Sequence, residues 1–388
     1  MPHQIYIDNS ITYTIAPEVE VPLGERTWAL VEAEVVDELT GQPPIAPLTI
    51  ESTNLGVFPR PAEDGIVGLA GIPVHAFSQL KTVSYTVDLT ISANRYIPVN
   101  MQVPIITIPT FPALFNTTDV GQVALHRAPL AIRGRVAVSS GVTNTPAPGA
   151  AVSVTGIWRT VPPVNVVVPP SPPDLVSLMP GFYFGRSSAA TQITQQPLVP
   201  VVGADKRLLL DAQQGDTFLQ LSDCIGLAIN DVLAVDGDDP NRTEYMTIKA
   251  IFAASTPDQP AKIQLTYALQ TTHRFNAPVR KVNLGAAGAS TPLSADAIVG
   301  DVCAFVGSVA TLQPATTVKV SDGTNPDEYH AASYFVTTTD ALGFYRLPAL
   351  SRVAQLNLEA NIGAVPPPIT EKFVPDYSQE ENKVDVVF

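Results

Sequence analysis

The sequence predicts an all-β protein of two β-sandwich modules, the second interrupted by a long insertion that contains a small β-barrel or β-sandwich. Three observations point there. Proline supplies 37 of the 388 residues, about twice its usual share of roughly 5%, and the prolines are scattered, which disfavours long helices. Valine, isoleucine and threonine recur in short runs between Pro and Gly breaks, the pattern of many short strands joined by turns. One strand-and-turn pattern also occurs twice, in the same order.

The first copy opens with ALVEAEVVDELTGQPP (Ala29 to Pro44), where Val31, Ala33 and Val35 alternate with Glu32, Glu34 and Val36 on opposite strand faces. The second opens with IRGRVAVSSGVTNTPAPGAAVSVTG (Ile132 to Gly156). There Ile132, Gly134, Val136 and Val138 share a face, Pro148-Gly149 turns the chain, and Val152 and Val154 begin the next strand. A second correspondence follows each. EDGIVGLAGIP (Glu63 to Pro73) leads to YTVDLTISANRYIPV (Tyr85 to Val99), and TTDALGFYRLPALS (Thr338 to Ser351) leads to VAQLNLEANIG (Val353 to Gly363). In both, Asp and Gly precede alternating apolar residues, then a further alternating strand with Val87, Leu89 and Ile91 or Leu356, Leu358 and Ala360.

The two halves lie about 20 residues apart in the first copy and roughly 180 apart in the second, so the second has received an insertion, which a surface loop accepts at small entropic cost. The expected modules are residues 1–128, and 129–158 with 336–388; the insertion is 159–335. It starts with a proline-rich arm, TVPPVNVVVPPSPPDL (Thr160 to Leu175). From about residue 205 to 284, strands separated by turns at Gln214-Gly215, Asn230-Asp231 and Gly237-Asp238 predict the small barrel or sandwich. Leu284 to Pro292 is rich in Gly, Ala and Ser and reads as a loop. NKVDVVF (Asn382 to Phe388) alternates and completes the second sandwich.

Apolar residues at 45% and charged residues at 15% mark a folded chain. The net charge of −14 repels phosphate backbones and anionic lipid surfaces, so no nucleic-acid partner is expected. Cys224 and Cys303 read as two buried free thiols, too few for a disulfide framework. MPHQIYIDNS lacks the basic flank and apolar core of a secretory signal. Tyr96 to Thr118 carries no charge, but Pro98, Pro104, Pro109 and Pro112 would break a spanning helix, so it reads as a strand and connector, with no membrane insertion expected. The sequons at Asn116 and Asn241 carry no weight without secretion.

The second module, through GRV, PAPGAAVSVTG and TTTDALGFYRLPAL, resembles the carboxypeptidase regulatory-like domain, which implies a prealbumin- or Ig-like sandwich without peptidase chemistry. The stretch from Thr339-Asp340 to Gly343-Phe344-Tyr345 is its most characteristic part, and the first module resembles it more weakly. QQGDTFLQLSD, GLAINDVLAVDG and EYMTI in the insertion look like small β modules of phage-tail and phage-tail-like proteins. The whole arrangement resembles proteins that accompany extracellular contractile injection systems. That implies a cap, baseplate or peripheral adaptor subunit, other subunits of the particle and further copies of itself as partners, and assembly in the producing cell's cytoplasm before release.

Catalytic signatures are absent from the sequence: it contains no GxSxG, HExxH, phosphate-binding glycine loop or CxxC. No catalytic residue, cofactor or metal site is expected. His3, His75, His126, His273 and His330 are widely separated and read as surface or turn residues. DGDDPN (Asp236 to Asn241) with Glu244 reads as a polar hairpin turn; a hard-cation site is the alternative, although Pro240 and Thr247 break the EF-hand pattern. SDGTNPDE (Ser321 to Glu328) reads as a second turn. Tyr183 and Phe184 in MPGFYFGR read as core, with an exposed partner anchor as the alternative. The functional expectation is a non-catalytic structural or adaptor subunit; the alternative is a binding module or fibre recognising a carbohydrate or cell-surface ligand.

Overall fold

A computed structural model describes residues 5–7, 11–13, 28–54, 57–61, 64–71, 85–105, 117–161, 166–168, 174–203, 205–239, 242–253, 256–310, 312, 317–363 and 366–388. Among these there is no helix; strands arranged in several sheets make an all-β protein. His3, His75, the sequon asparagines Asn116 and Asn241, and much of the connector and proline-rich arm lie outside the described residues. The chain divides into two compact units, Met1–Ala128 with Thr160–Val166, and Pro129–Arg159 with Val167–Phe388.

The first unit holds a sandwich. One sheet runs Val57–Pro61, Ile66–Gly71, Trp28–Asp37, Thr118–Arg127, Tyr96–Ile97, and the other Leu48–Glu51, Tyr85–Ala93, Val99–Ile105. Val31, Ala33, Val35, Val87, Leu89 and Ile91 fill the core between them, as strand alternation requires. Trp28–Asp37 is antiparallel to Ile66–Gly71 and parallel to Thr118–Arg127.

The second unit repeats this circuit. Ala131–Ser139 is antiparallel to Phe344–Arg346 and parallel to Glu381–Lys383 and Val386–Val387. Ala151–Val161, Gln355–Asn361 and Ile369–Phe373 form the facing antiparallel sheet. One detail recurs to the atom. The Val35 N–H donates to Gly65 O at 2.8 Å, and the Val136 N–H donates to Gly343 O at 2.8 Å. Both glycines have positive φ, 79° and 80°, and a Cβ on either would lie 2.6 Å from the carbonyl oxygen of Val35 or Val136.

The insertion contains two barrels rather than one. The inner barrel runs Lys206–Arg207, Pro278–Leu284, Val232–Val235, Glu244–Ala253, Ala261–Leu265, Phe218–Leu221, and the Leu208–Leu221 bridge closes it. Leu219, Leu221, Leu233, Val235, Met246, Ile263 and Val279 fill its interior. The outer barrel is split around it: Ser290–Pro292, Gln192–Gln195, Thr317–Ser321, Glu328–Tyr334, Asp174–Met179, Cys303–Val306, closed by the Leu293–Val306 bridge. Val176, Leu178, Ile193, Val306, Val318 and Val320 form its separate core. Ser290–Pro292, expected within a loop, is therefore a barrel strand.

The two barrels are copies of each other. Leu208-Leu-Leu-Asp211-Ala212-Gln-Gln-Gly215-Asp216 corresponds to Leu293-Ser-Ala-Asp296-Ala297-Ile-Val-Gly300-Asp301. In the inner barrel Gly215 N–H donates to Leu269 O and Leu269 N–H to Asp216 O; in the outer, Gly300 N–H donates to Phe182 O and Phe182 N–H to Asp301 O. Isolated bridges pair Ala212 with His273 and Ala297 with Arg186. The outer barrel is thus a circular permutation of the inner, which enters between its Gln192–Gln195 and Ser290–Pro292 strands.

Candidate functional site

The correspondence places two carboxylates in equivalent positions, Glu244 and Glu328, each at the start of a strand and followed by tyrosine. Those tyrosines, Tyr245 and Tyr329, pair where the barrels meet. Both glutamates are fully buried, as are His273, His330 and Arg186. A buried carboxylate has to be neutralised or richly hydrogen-bonded. Each barrel does this with the loop between two of its strands.

In the inner barrel, Glu244 accepts the backbone N–H of Gln270 at 3.1 Å and of Thr271 at 2.6 Å, the Thr271 hydroxyl, and the Tyr183 hydroxyl at 2.8 Å. His273 Nε2 lies 3.2 Å from Glu244, and its Nδ1 lies 3.4 Å from Asp236. Burial works to raise the Glu244 carboxyl, but hydrogen bonds from His273, Thr271, Gln270 and Tyr183 outweigh it and hold it below its ordinary value of 4.5. Burial pushes the Tyr183 phenol well up, so it stays a donor.

In the outer barrel, Glu328 accepts the N–H of Tyr183 at 3.2 Å and of Phe184 at 2.9 Å. Its cation is Arg186, which donates from Nη2 at 2.9 Å and from Nε at 3.3 Å. Arg186 Nη1 pairs with Asp322 at 2.9 Å, and Nη2 also donates to Pro326 O at 2.7 Å. His330 Nε2 lies 3.0 Å from Glu328. Burial raises the Asp322 carboxyl, but bonds from Asn325, Thr324 and Arg186 prevail and hold it well below its ordinary 3.8.

The two clusters interlock. Tyr183 belongs to the outer-barrel loop, yet its hydroxyl reaches Glu244 of the inner barrel, while Gln270 Nε2 of the inner loop donates to Phe182 O at 2.6 Å. Tyr183 stacks between Tyr267, with ring centroids 4.2 Å apart, and His330 at 5.4 Å. Tyr183 is thus a core residue and not a partner anchor; Phe184 is half-buried, with Arg186 over its ring.

His273 and His330, read from the sequence as surface or turn residues, are interior ligands of glutamates. A lone histidine carries no local signal of a partner supplied by a distant loop. The signal that was present is the repeated Glu-Tyr doublet, Glu244-Tyr245 and Glu328-Tyr329, following two Asp-Gly turns. Those turns form as expected. Asp236 and Glu244 flank His273 on its two ring nitrogens, Asp236 also facing Arg242, while Asp238 pairs with Arg280 at 2.6 Å. Pro240 and Asn241 lie outside the described residues. Among the described residues no group of three His, Cys, Asp or Glu side chains is placed to hold a metal ion.

Nearby, a cleft of about 510 Å³ is lined by Thr247, Lys249, Asp327 and Tyr329. The Glu244 and Glu328 side chains are not part of its lining; they are committed to internal partners. Chemically, the paired clusters are polar fastenings between two repeats rather than an open acid-base pair. Cys224 and Cys303 are both free and buried, and burial, with the Asp301 charge beside it, pushes the Cys303 thiol up to about 12.

No protein-family model and no curated protein matches the sequence. Among solved structures, BcpA, the major pilin subunit of Bacillus cereus, and a point variant of it are similar at 8% and 7% identity, over 93% of this chain and 99% of theirs. The TM-score is 0.19 for both, too low to carry an argument about fold or function.

Proposed function

We infer that this chain is a non-catalytic structural or adaptor subunit of a phage-tail-like contractile injection particle, serving as cap, baseplate or peripheral component. It assembles in the cytoplasm of the producing cell with other subunits and with further copies of itself. The observation that carries the reading is the duplication of β modules whose buried titratable residues Glu244, His273, Glu328 and His330 are spent on internal fastening. The carboxypeptidase regulatory-like and tail-module resemblances supply the choice of particle. The exposed edge strand Ile369–Phe373 offers a surface for neighbouring subunits.

The test is cryo-electron microscopy of particles purified from the producing host, with the chain carrying a small affinity tag. Density for the chain at a defined position on a sheath-and-tube particle supports the assignment. A chain recovered only as free monomer, with intact particles lacking it, overturns it.

A further inference from the structure

The two barrels differ in what covers one equivalent face. On the outer barrel, Leu175, Ala295, Cys303 and Phe305 are buried, at 5%, 6%, 1% and 4% exposure. The loop Leu347–Val353 of the second sandwich lies against this face at Cys303, whose Sγ accepts the Ser351 N–H at 3.2 Å. Ala349 O accepts the Ser177 hydroxyl at 3.1 Å, and the Ser351 hydroxyl receives the Val302 N–H at 3.2 Å. Arg352 Nη1 donates to Asp301 at 3.0 Å and to Asp296 O at 3.1 Å.

The corresponding inner-barrel residues are Lys262, Leu210, Phe218 and Gln220, and all four are exposed. Leu210 is 58% and Phe218 37% exposed; Phe218 meets the 54% exposed Phe252, with the Lys262 ammonium 4.0 Å above its ring. These residues border a cleft of about 340 Å³, which Asp211 and Asp216 also line. Asp216 occupies the place of Asp301, whose carboxylate holds Arg352 on the covered barrel, and Asp211 that of Asp296, which holds it through a backbone carbonyl.

We propose that this inner-barrel cleft is a docking site for a loop of another β-sandwich subunit, one presenting an arginine between a hydroxyl-bearing and an apolar residue. The occupant's chemistry is read from the chain's own Leu350-Ser351-Arg352-Val353. The arginine answers the acidic rim at Asp216, and its apolar neighbours cover Leu210 and Phe218. An aromatic floor with a charged rim is the composition of a protein-protein contact centre. The chain's own loop cannot fill the site from a second copy without leaving the outer barrel, so the occupant is a different subunit.

The test uses the full chain and a fluorescently labelled, disulfide-cyclised peptide that holds Leu-Pro-Ala-Leu-Ser-Arg-Val as a loop. Saturable binding is expected, weakened about tenfold or more by Asp216→Asn, by Phe218→Ser, or by replacing the peptide's arginine with alanine. Phe218 and Asp216 are exposed, so both variants fold, and an unchanged melting temperature verifies this. Absence of saturable binding, or binding indifferent to Asp216 and to the arginine, overturns the proposal. So does self-association of the chain that Phe218→Ser abolishes, because the occupant would then be a second copy. Failure here leaves the particle assignment standing, since other surfaces could carry assembly.

Discussion

The inner and outer barrels run the same six-strand circuit, yet one is continuous in sequence and exposes Leu210 and Phe218, while the other is split in sequence and has a sandwich loop against the equivalent face. Their buried glutamates expose the difference in electrostatic terms. Both have an imidazole and backbone amides at hand, but Glu328 also faces a guanidinium that forks between it and Asp322, whereas Glu244 relies on the hydroxyls of Thr271 and Tyr183. A fold can therefore be kept through duplication while the means of neutralising a buried charge changes, provided that the backbone donors from the neighbouring loop persist.

Replacing the basic partner of the glutamate in each barrel is the strongest way to break this comparison. Arg186→Ala leaves Glu328 and Asp322 without their buried partner and is expected to cost about 3–5 kcal/mol. His273→Ala leaves Glu244 with the amides of Gln270 and Thr271 and the Tyr183 hydroxyl, so the cost should be about 1–3 kcal/mol. Denaturant unfolding followed by hydrogen exchange resolves the two, reporting each barrel separately because the chain is not a single two-state system. Equal losses would mean that guanidinium and imidazole are interchangeable here and the distinction between the barrels is empty.

The fold class was legible because alternation in a half-buried strand is a local signal: Val31, Ala33 and Val35 in one module and Leu356, Leu358 and Ala360 in the other are all buried as their period requires. Glu32 was not legible as an interior residue; it is buried on the opposite face, with its carboxyl raised by burial and by Asp119. The outer barrel was missed for a topological reason. Its strands are short and come from two stretches on either side of the inner barrel, so no single window contains its pattern. Its longest sequence trace, the Leu-x-x-Asp-Ala-x-x-Gly-Asp motif at Leu208 and again at Leu293, needs the two stretches set side by side. The candidate site was less legible still, since Arg186 and Glu328 meet only through the barrel's closure.

A second comparison, between the sandwich modules, is sharpened by their shared glycine. Gly65→Ala and Gly343→Ala each place a methyl 2.6 Å from a carbonyl oxygen in a backbone conformation with positive φ. Each should cost about 2–3 kcal/mol. The loss should fall on the variant's own module: Gly65→Ala on the strands around Trp28–Asp37, Gly343→Ala on those around Ala131–Ser139. Site-resolved hydrogen exchange checks it. If one substitution is silent, the two turns are not structural equivalents.

The smallest expected effect separates the barrels by acid. Glu244 and Asp322 both have folded-state values below their ordinary ones, 4.5 and 3.8. Each contribution is therefore complete above the ordinary value and fades as the pH falls through it toward the depressed folded value. The inner barrel should begin to lose protection at a higher pH than the outer, starting near 4.5. Glu244→Gln should flatten the inner barrel's profile below that point while leaving the outer barrel's unchanged, and Asp322→Asn should do the reverse. Amide exchange across both barrels from pH 3 to 6 distinguishes this from a collective acid transition, in which both profiles would move together whichever carboxylate is replaced.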